Sequence, residues 1–199
     1  IAPAAAELWL AIAAMALLVF GVVRGDSSTR AVLWMAVATL VFAAWIVWAR
    51  ADFAGTTFSG LFVADRFGAF AKILVLLGSA FSLVLALDYL ERERLGRPEF
   101  PVLVVTACLG MMVMVSGADL LTIYLGTELM SLSLYVMAGL KRAEARLLEA
   151  SAKYFVLGAF SSGILLYGIS LLYGSAGSTQ LPAIAAAIAG RSLDDPLLL

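Results

Sequence analysis

Glu128 stands near the middle of the apolar run Leu120–Leu140, and Lys153 stands inside the next apolar run, Ala150–Tyr173. A charge at the centre of a bilayer costs roughly 3 kcal/mol even on a lenient insertion scale. Ionisable residues in such runs therefore face a protein interior or a watery cavity, and they mark ion or proton routes. On a helix, residues three, four and seven apart share a face, so Tyr124, Ser131 and Tyr135 extend Glu128 into a polar stripe. The bland reading of the same stripe is a packing device, a neutral carboxyl bonded to a neighbouring hydroxyl. The loop between the two runs, Lys141–Glu149, is short, which predicts adjacent helices and sets Lys153 a few ångströms from Glu128. Opposite charges at that range attract by roughly 4 kcal/mol at an effective dielectric near 20. Moving or neutralising one partner would then load or release a proton on the other. Lys153 on its own could also snorkel to the interface, with Glu149 four residues earlier in the favourable order.

Lys72 lies seven residues after Asp65 and on its face. The plainer reading is a snorkelling lysine and a capping aspartate at a span end, with a secondary polar path as the functional one. Asp88, Glu91, Arg92, Glu93 and Arg94 read as a solvated helix end. In the last run Gly158 and Ser162 are small residues four apart, which permits close helix approach, and a bulky residue at Gly163 is expected to weaken packing. Catalytic and metal-binding residues are not expected. There is no histidine, and one cysteine, Cys108, is too few for an iron–sulfur cluster and reads as a small core residue.

These residues need a membrane-spanning scaffold to position them. Hydrophobic residues make up 63% of the 199-residue chain and charged ones 14%, with a mean hydropathy of +1.03, which together define an integral membrane protein. A net charge of -1 without a basic face excludes a nucleic-acid partner. About 20 apolar residues cross the hydrocarbon core. Six spans follow, near Leu8–Val23, Ala31–Ala49, Phe67–Leu87, Val102–Ser116, Leu120–Leu140 and Ala150–Tyr173. They are expected as helices, which satisfy their own backbone hydrogen bonds in lipid. A seventh span is expected to start at Leu197–Leu199, and the two ends read as those of a partial sequence. The turn Gly117–Asp119 makes spans four and five antiparallel neighbours, and Leu181–Ala189 reads as a short Ala-rich helix at the outer interface. Loops after the odd spans carry Arg24, Arg30, Arg92, Arg94, Arg97, Lys141, Arg142 and Arg146, against Arg50, Arg66 and Arg191 after the even ones. That bias predicts an amino terminus outside and odd loops in the cytoplasm.

The string from Ile123 to Tyr135, then Lys141-Arg142, then the string from Glu149 to Gly168, resembles the antiporter-like subunit N family of bacterial respiratory complex I, the proton-pumping NADH:quinone oxidoreductase. Asp65-Arg-Phe with Lys72, and Leu87 to Glu91, are similar to the same family, so the likeness runs over about Phe62–Gly177. The sibling subunits L and M usually carry Trp-Glu where this chain has Thr127-Glu128. The resemblance implies an all-α polytopic membrane protein, an antiporter-like bundle with about six complete helices here of an expected fourteen in inverted repeats. Residues 1–99 would hold helices one to three, and residues 100–199 the first part of the first repeat. Glu128 would be the family's fifth-helix glutamate and Lys153 its sixth-helix lysine. The chain would hold no cofactor, with flavin, iron–sulfur clusters and quinone in partner subunits. Neighbours would be subunits M and K, and also J, with lipids around them in the inner membrane of a bacterial cell. Two other classes stay open: a subunit of a multisubunit cation/proton antiporter on the same fold, and a scaffold whose buried ions only fix packing.

Overall fold

The computed structural model describes residues 2–25, 28–92, 96–141 and 144–189. Arg94, Arg142 and Arg191 of the loop count, and Leu197–Leu199 of the expected seventh span, lie outside the described residues. The apolar runs form α1 (Ala5–Arg24), α2 (Thr29–Ala49), α3 (Arg66–Arg92), α4 (Glu99–Ser116), α5 (Leu120–Ala138) and α6 (Ala145–Ala176), followed by the short α7 (Leu181–Ala189). Among the described residues these first six are long and apolar enough to cross a membrane. The fold is thus an all-α polytopic membrane bundle, and the six expected spans are borne out, five of them with longer ends and the fifth two residues shorter, at Ala138.

The helix ends follow local chemistry. Gly25, at φ 68°, stops α1 and returns its N–H to Gly21 O. Pro98 precedes α4, where its missing N–H is no loss. Asp119 caps α5, its Oδ1 accepting from Leu121 N at 2.9 Å and Thr122 N at 3.3 Å. Asp65 Oδ1 accepts from Gly68 N at 2.6 Å, the capping role expected of it at the start of α3. At 32 residues α6 is about 48 Å long. That exceeds a hydrocarbon core of roughly 30 Å, so the helix tilts or projects beyond it.

Between α2 and α3 the chain makes a hairpin that hydropathy does not foretell, β1 (Gly55–Thr57) antiparallel to β2 (Phe62–Ala64), with Thr56 opposite Val63. Its turn holds Phe58, Ser59 and Gly60 at positive φ. The hairpin ties into the two tight turns at the same end of the bundle. Ala118 N donates to Leu61 O, Leu120 N to Thr179 O, and Leu181 N to Ala118 O. Buried Asp119 accepts from Thr179 Oγ1 at 2.5 Å and joins the α4–α5 turn to the segment after α6.

The core lies among α1 to α4, where Leu10, Leu33, Leu40, Leu76, Leu83, Val105 and Met112 are fully buried with Cys108 between them. Cys108 is the small core residue expected of it. The antiparallel α4–α5 pair, set by the Gly117–Asp119 turn, touches backbone to backbone where Gly110 meets Gly126. A Cβ on Gly110 would sit 2.6 Å from Gly126 O, and one on Gly126 would sit 2.8 Å from Gly110 O.

Candidate functional site

The seam between α5 and α6 carries the polar chemistry. Along α6, Ser151, Tyr154, Phe155, Gly158 and Ser162 recur at helical spacing and all meet α5. Ser151 Oγ donates to Tyr135 O at 3.2 Å. The Tyr135 ring meets Tyr154 and Phe155 edge-on at 4.9 and 5.7 Å between centroids. The Tyr135 hydroxyl occupies the space that a Cβ on Gly158 would need. Glycine at 158 is what lets the tyrosine lie against the α6 backbone.

About two helical turns from Tyr135 towards the hairpin end, Glu128 lies eight residues past Leu120, about 12 Å into a 19-residue helix. Ser162 lies at the middle of α6. The Ser162 hydroxyl donates to Glu128 Oε1 and stands 3.2 Å from the Tyr124 hydroxyl. A serine has a single hydroxyl proton. With that proton given to the carboxylate, Tyr124 must donate into Ser162 Oγ, and the three groups form a directed chain. With Glu128 protonated, the carboxyl can donate to Ser162 and the chain reverses. All three residues are half-buried within this chain. Beside them, Thr127 donates to Ile123 O at 2.9 Å and lies 3.2 Å from Met114 Sδ, which fixes its side chain towards α4.

Of the stripe read from the sequence, Tyr124 thus reaches Glu128 through Ser162. Tyr135 is occupied in the aromatic cluster, and Ser131 makes no side-chain hydrogen bond among the described residues. Ser162, which joins Glu128 to Tyr124, is a residue that the sequence offered only for its small size. Its signal was available in its position four residues from Gly158, on the face that must meet α5.

The expected contact between Glu128 and Lys153 is not formed. Lys153 Nζ pairs with Glu149 Oε1 at 2.5 Å, and the two side chains are 71% and 64% exposed. Nine residues separate Lys153 from Ser162, two and a half turns or about 13 Å, so Lys153 projects from the opposite face of α6. Adjacent helices do not suffice to make two residues neighbours. Within this chain a Cβ on Gly163 meets nothing within 4 Å, and the contact of α6 with α5 is made at Gly158 instead.

Lys72 departs from the snorkelling reading. It is buried, and its Nζ lies 2.5 Å from Glu7 Oε1 and 4.7 Å from the centroid of the Phe62 ring. Glu7 was not anticipated, because it stands one residue before the apolar run that begins at Leu8. No group of three or more acidic, Cys or His side chains able to hold a metal ion occurs among the described residues.

Six helices long and apolar enough to cross a membrane, with a carboxylate held at mid-span, make a polytopic membrane bundle with an ionisable seam. Residues 117–196 match the model of the family described as NADH:quinone oxidoreductase/Mrp antiporter, transmembrane. The chain is a relative of subunit N of NADH-quinone oxidoreductase. It is 50% identical over 188 residues to that subunit of Paramagnetospirillum magneticum and 47% identical over 190 residues to subunit N 1 of Rhizobium meliloti. Each alignment takes in 94% of this chain and 39% of the relative, so the chain spans about two fifths of the length of these proteins. A chain of respiratory complex I from Thermus thermophilus with bound aureothin superposes with a TM-score of 0.75 at 29% identity, over 96% of this chain and 40% of that one. A chain of the membrane-bound sulfane sulfur reductase, an archaeal respiratory membrane complex, shares the fold with a TM-score of 0.76 at 19% identity, over 98% of this chain and 40% of that one. The resemblance read from the strings around Glu128 and Lys153 is borne out.

Proposed function

We propose that this chain is part of a membrane-arm subunit of a proton-translocating NADH:quinone oxidoreductase and helps carry protons while quinone is reduced elsewhere in the complex. The observation that carries the reading is the chain of Tyr124, Ser162 and Glu128 at mid-span. A carboxylate there takes a proton from Ser162 Oγ while the serine takes one from Tyr124, and the reverse sequence returns it. Each step breaks one O–H bond and forms another across a hydrogen bond already in place, so little needs to move. Lys153, on the other face of α6, is the next proton-holding group, reached through water or through side chains of the rest of the subunit rather than by contact with Glu128. Its partner Glu149 holds the ammonium form until that exchange.

On this reading the neighbours are other membrane-arm subunits, M and K and also J, and the flavin, iron–sulfur clusters and quinone belong to partners. The protein lies in the cytoplasmic membrane of a bacterium, with its amino terminus and hairpin end outside, as the loop charges favour. Residues 100–199 begin the first inverted repeat, and residues 1–99 precede it.

The test is proton uptake per quinone reduced in vesicles containing the assembled complex. Glu128→Gln is expected to lower that ratio several-fold, Ser162→Ala less, and Glu128→Asp least, because charge is kept. A wild-type ratio in Glu128→Gln and Ser162→Ala together would overturn the proton route. The family description also covers Mrp antiporters, which supports a second reading as a cation/proton antiporter subunit. Purification of the native complex without flavin and iron–sulfur proteins would favour that second reading.

A further inference from the structure

We propose that Glu7 and Lys72 form a second protonatable site, separate from Glu128 and opened to water by a cavity at the hairpin end. The side chains of Lys72 and Glu7 are only 6% and 8% exposed. Their contact is an ion pair without hydrogen-bond alignment, which leaves both Glu7 oxygens buried and without a donor. A cavity of about 250 Å³ reaches Lys72 between the ends of α2 and α4, β2 and the start of α3. Its polar lining is Arg50, Asp65, Lys72 and Ser116. Ser116 Oγ is likewise buried and unpartnered.

Four polar side chains stand in the otherwise apolar wall of this cavity, unpaired buried polar atoms beside such a space are completed by water, and the volume has room for several molecules. A purely structural ion pair gains from being sealed with every lone pair satisfied. Here the lysine forms part of the cavity wall and the carboxylate behind it has acceptors to spare. The charged groups facing the pair are therefore few. Arg50 comes from the end of α2 and Asp65 from the start of α3, with Ser116 from α4 and the Phe62 ring from β2.

The exchange balances as a proton transfer. An N–H bond of the Lys72 ammonium breaks as an O–H bond forms on Glu7 Oε1. The neutral amine then takes a proton from hydronium in the cavity and leaves water behind. The pair gains one proton and holds an ammonium beside a neutral carboxyl. Release runs backwards along the same atoms. That this exchange serves translocation rests on the function proposed above, whereas the exchange itself does not.

Infrared difference spectroscopy of the assembled complex, following a step to lower pH in H₂O and in D₂O, tests it. A carboxyl C=O band that appears in wild type should be absent in Glu7→Gln, shifted in Lys72→Met and unchanged in Glu128→Gln. Should Glu7→Gln fail to assemble, Glu7→Leu combined with Lys72→Met removes both charges and must lose the same band. Identical spectra for wild type and whichever Glu7 variant assembles would overturn the proposal. Loss of a band in Glu128→Gln alone would leave the Glu128 route standing and this site without support, so the two readings fail separately.

Discussion

The helices α1 to α4, with mean hydropathies of 1.9 to 2.3, and the pair α5–α6, at 1.4 and 1.9, are all apolar enough to cross a membrane but are packed differently. Within this chain, which spans about two fifths of its relatives' length, 22–44% of the most apolar stretch is buried in α1 to α4, against 11% in α5 and 6% in α6. The first region closes around leucine and valine and buries the Glu7–Lys72 pair beside a cavity at the hairpin end. The second presents large apolar side chains outward, among them Val156, Leu157, Phe160 and Ile164, and keeps its carboxylate on a seam between two helices. The difference teaches where change is tolerated. A charge inside the closed region is fixed by its partner, whereas Glu128 is held by hydroxyls that can reverse their hydrogen bonds without repacking a core.

The sharpest break in that comparison is expected from Lys72→Met. It leaves Glu7 buried without its counter-charge, and uncompensating one half of a buried pair costs about 3–5 kcal/mol. The amount of subunit recovered in the purified complex should fall steeply. Removing both charges, as in Glu7→Leu with Lys72→Met, should restore much of it, since buried pairs are often replaceable by apolar residues at little cost. If single and double variants are recovered equally poorly, the side chains matter for shape rather than for charge.

The same contrast explains what the sequence discloses. Span positions were readable because some twenty apolar residues admit little besides a membrane helix, and Glu128 was readable because nothing in such a run explains a carboxylate. Lys72 was visible but misplaced. Snorkelling is the default for a lysine near a span end, and only the fold brings Glu7 of α1 beside it. The hairpin was not legible, because Gly55-Thr-Thr57 and Phe62-Val-Ala64 are too short for a period-two pattern and are paired through backbone bonds. Lys153 was assigned to Glu128 on the proximity of two helices, a relation that leaves open which face of each is turned inward. Ser151, Tyr154, Phe155, Gly158 and Ser162 fix that face, and Lys153 is not on it.

An intermediate effect is expected on the seam. A side chain at Gly158 must displace the Tyr135 hydroxyl, and overpacking of this kind costs about 1–3 kcal/mol. Gly158→Leu should lower the thermal stability of the complex and loosen the seam that positions Ser162. Gly163→Leu, one residue beyond Ser162 and open in this chain, should not disturb the α5–α6 contact. Cross-linking between cysteines at Ser151 and Gly139, whose Cβ positions would lie 3.5 Å apart, reads the seam with Tyr135 left in place. Equal loss of cross-linking in both glycine variants would mean that α6 turns a different face to α5.

The smallest effect on the folding of this chain is expected from Lys153→Met. Within this chain the ammonium and its partner Glu149 are largely uncovered, and neither side chain belongs to the core of α1 to α4 or to the α5–α6 seam. The substitution keeps the length and apolar stem of the side chain, so α6 should fold and meet α5 as before. That near-silence makes the variant useful. A loss of proton uptake per quinone in Lys153→Met cannot be attributed to a damaged core, whereas the same loss in Lys72→Met could be. Normal recovery of the complex with impaired uptake would support Lys153 as a proton carrier on the outward face of α6. Normal recovery with normal uptake would reduce Lys153 to a surface charge and leave the chain of Tyr124, Ser162 and Glu128 as the whole of the route in these helices.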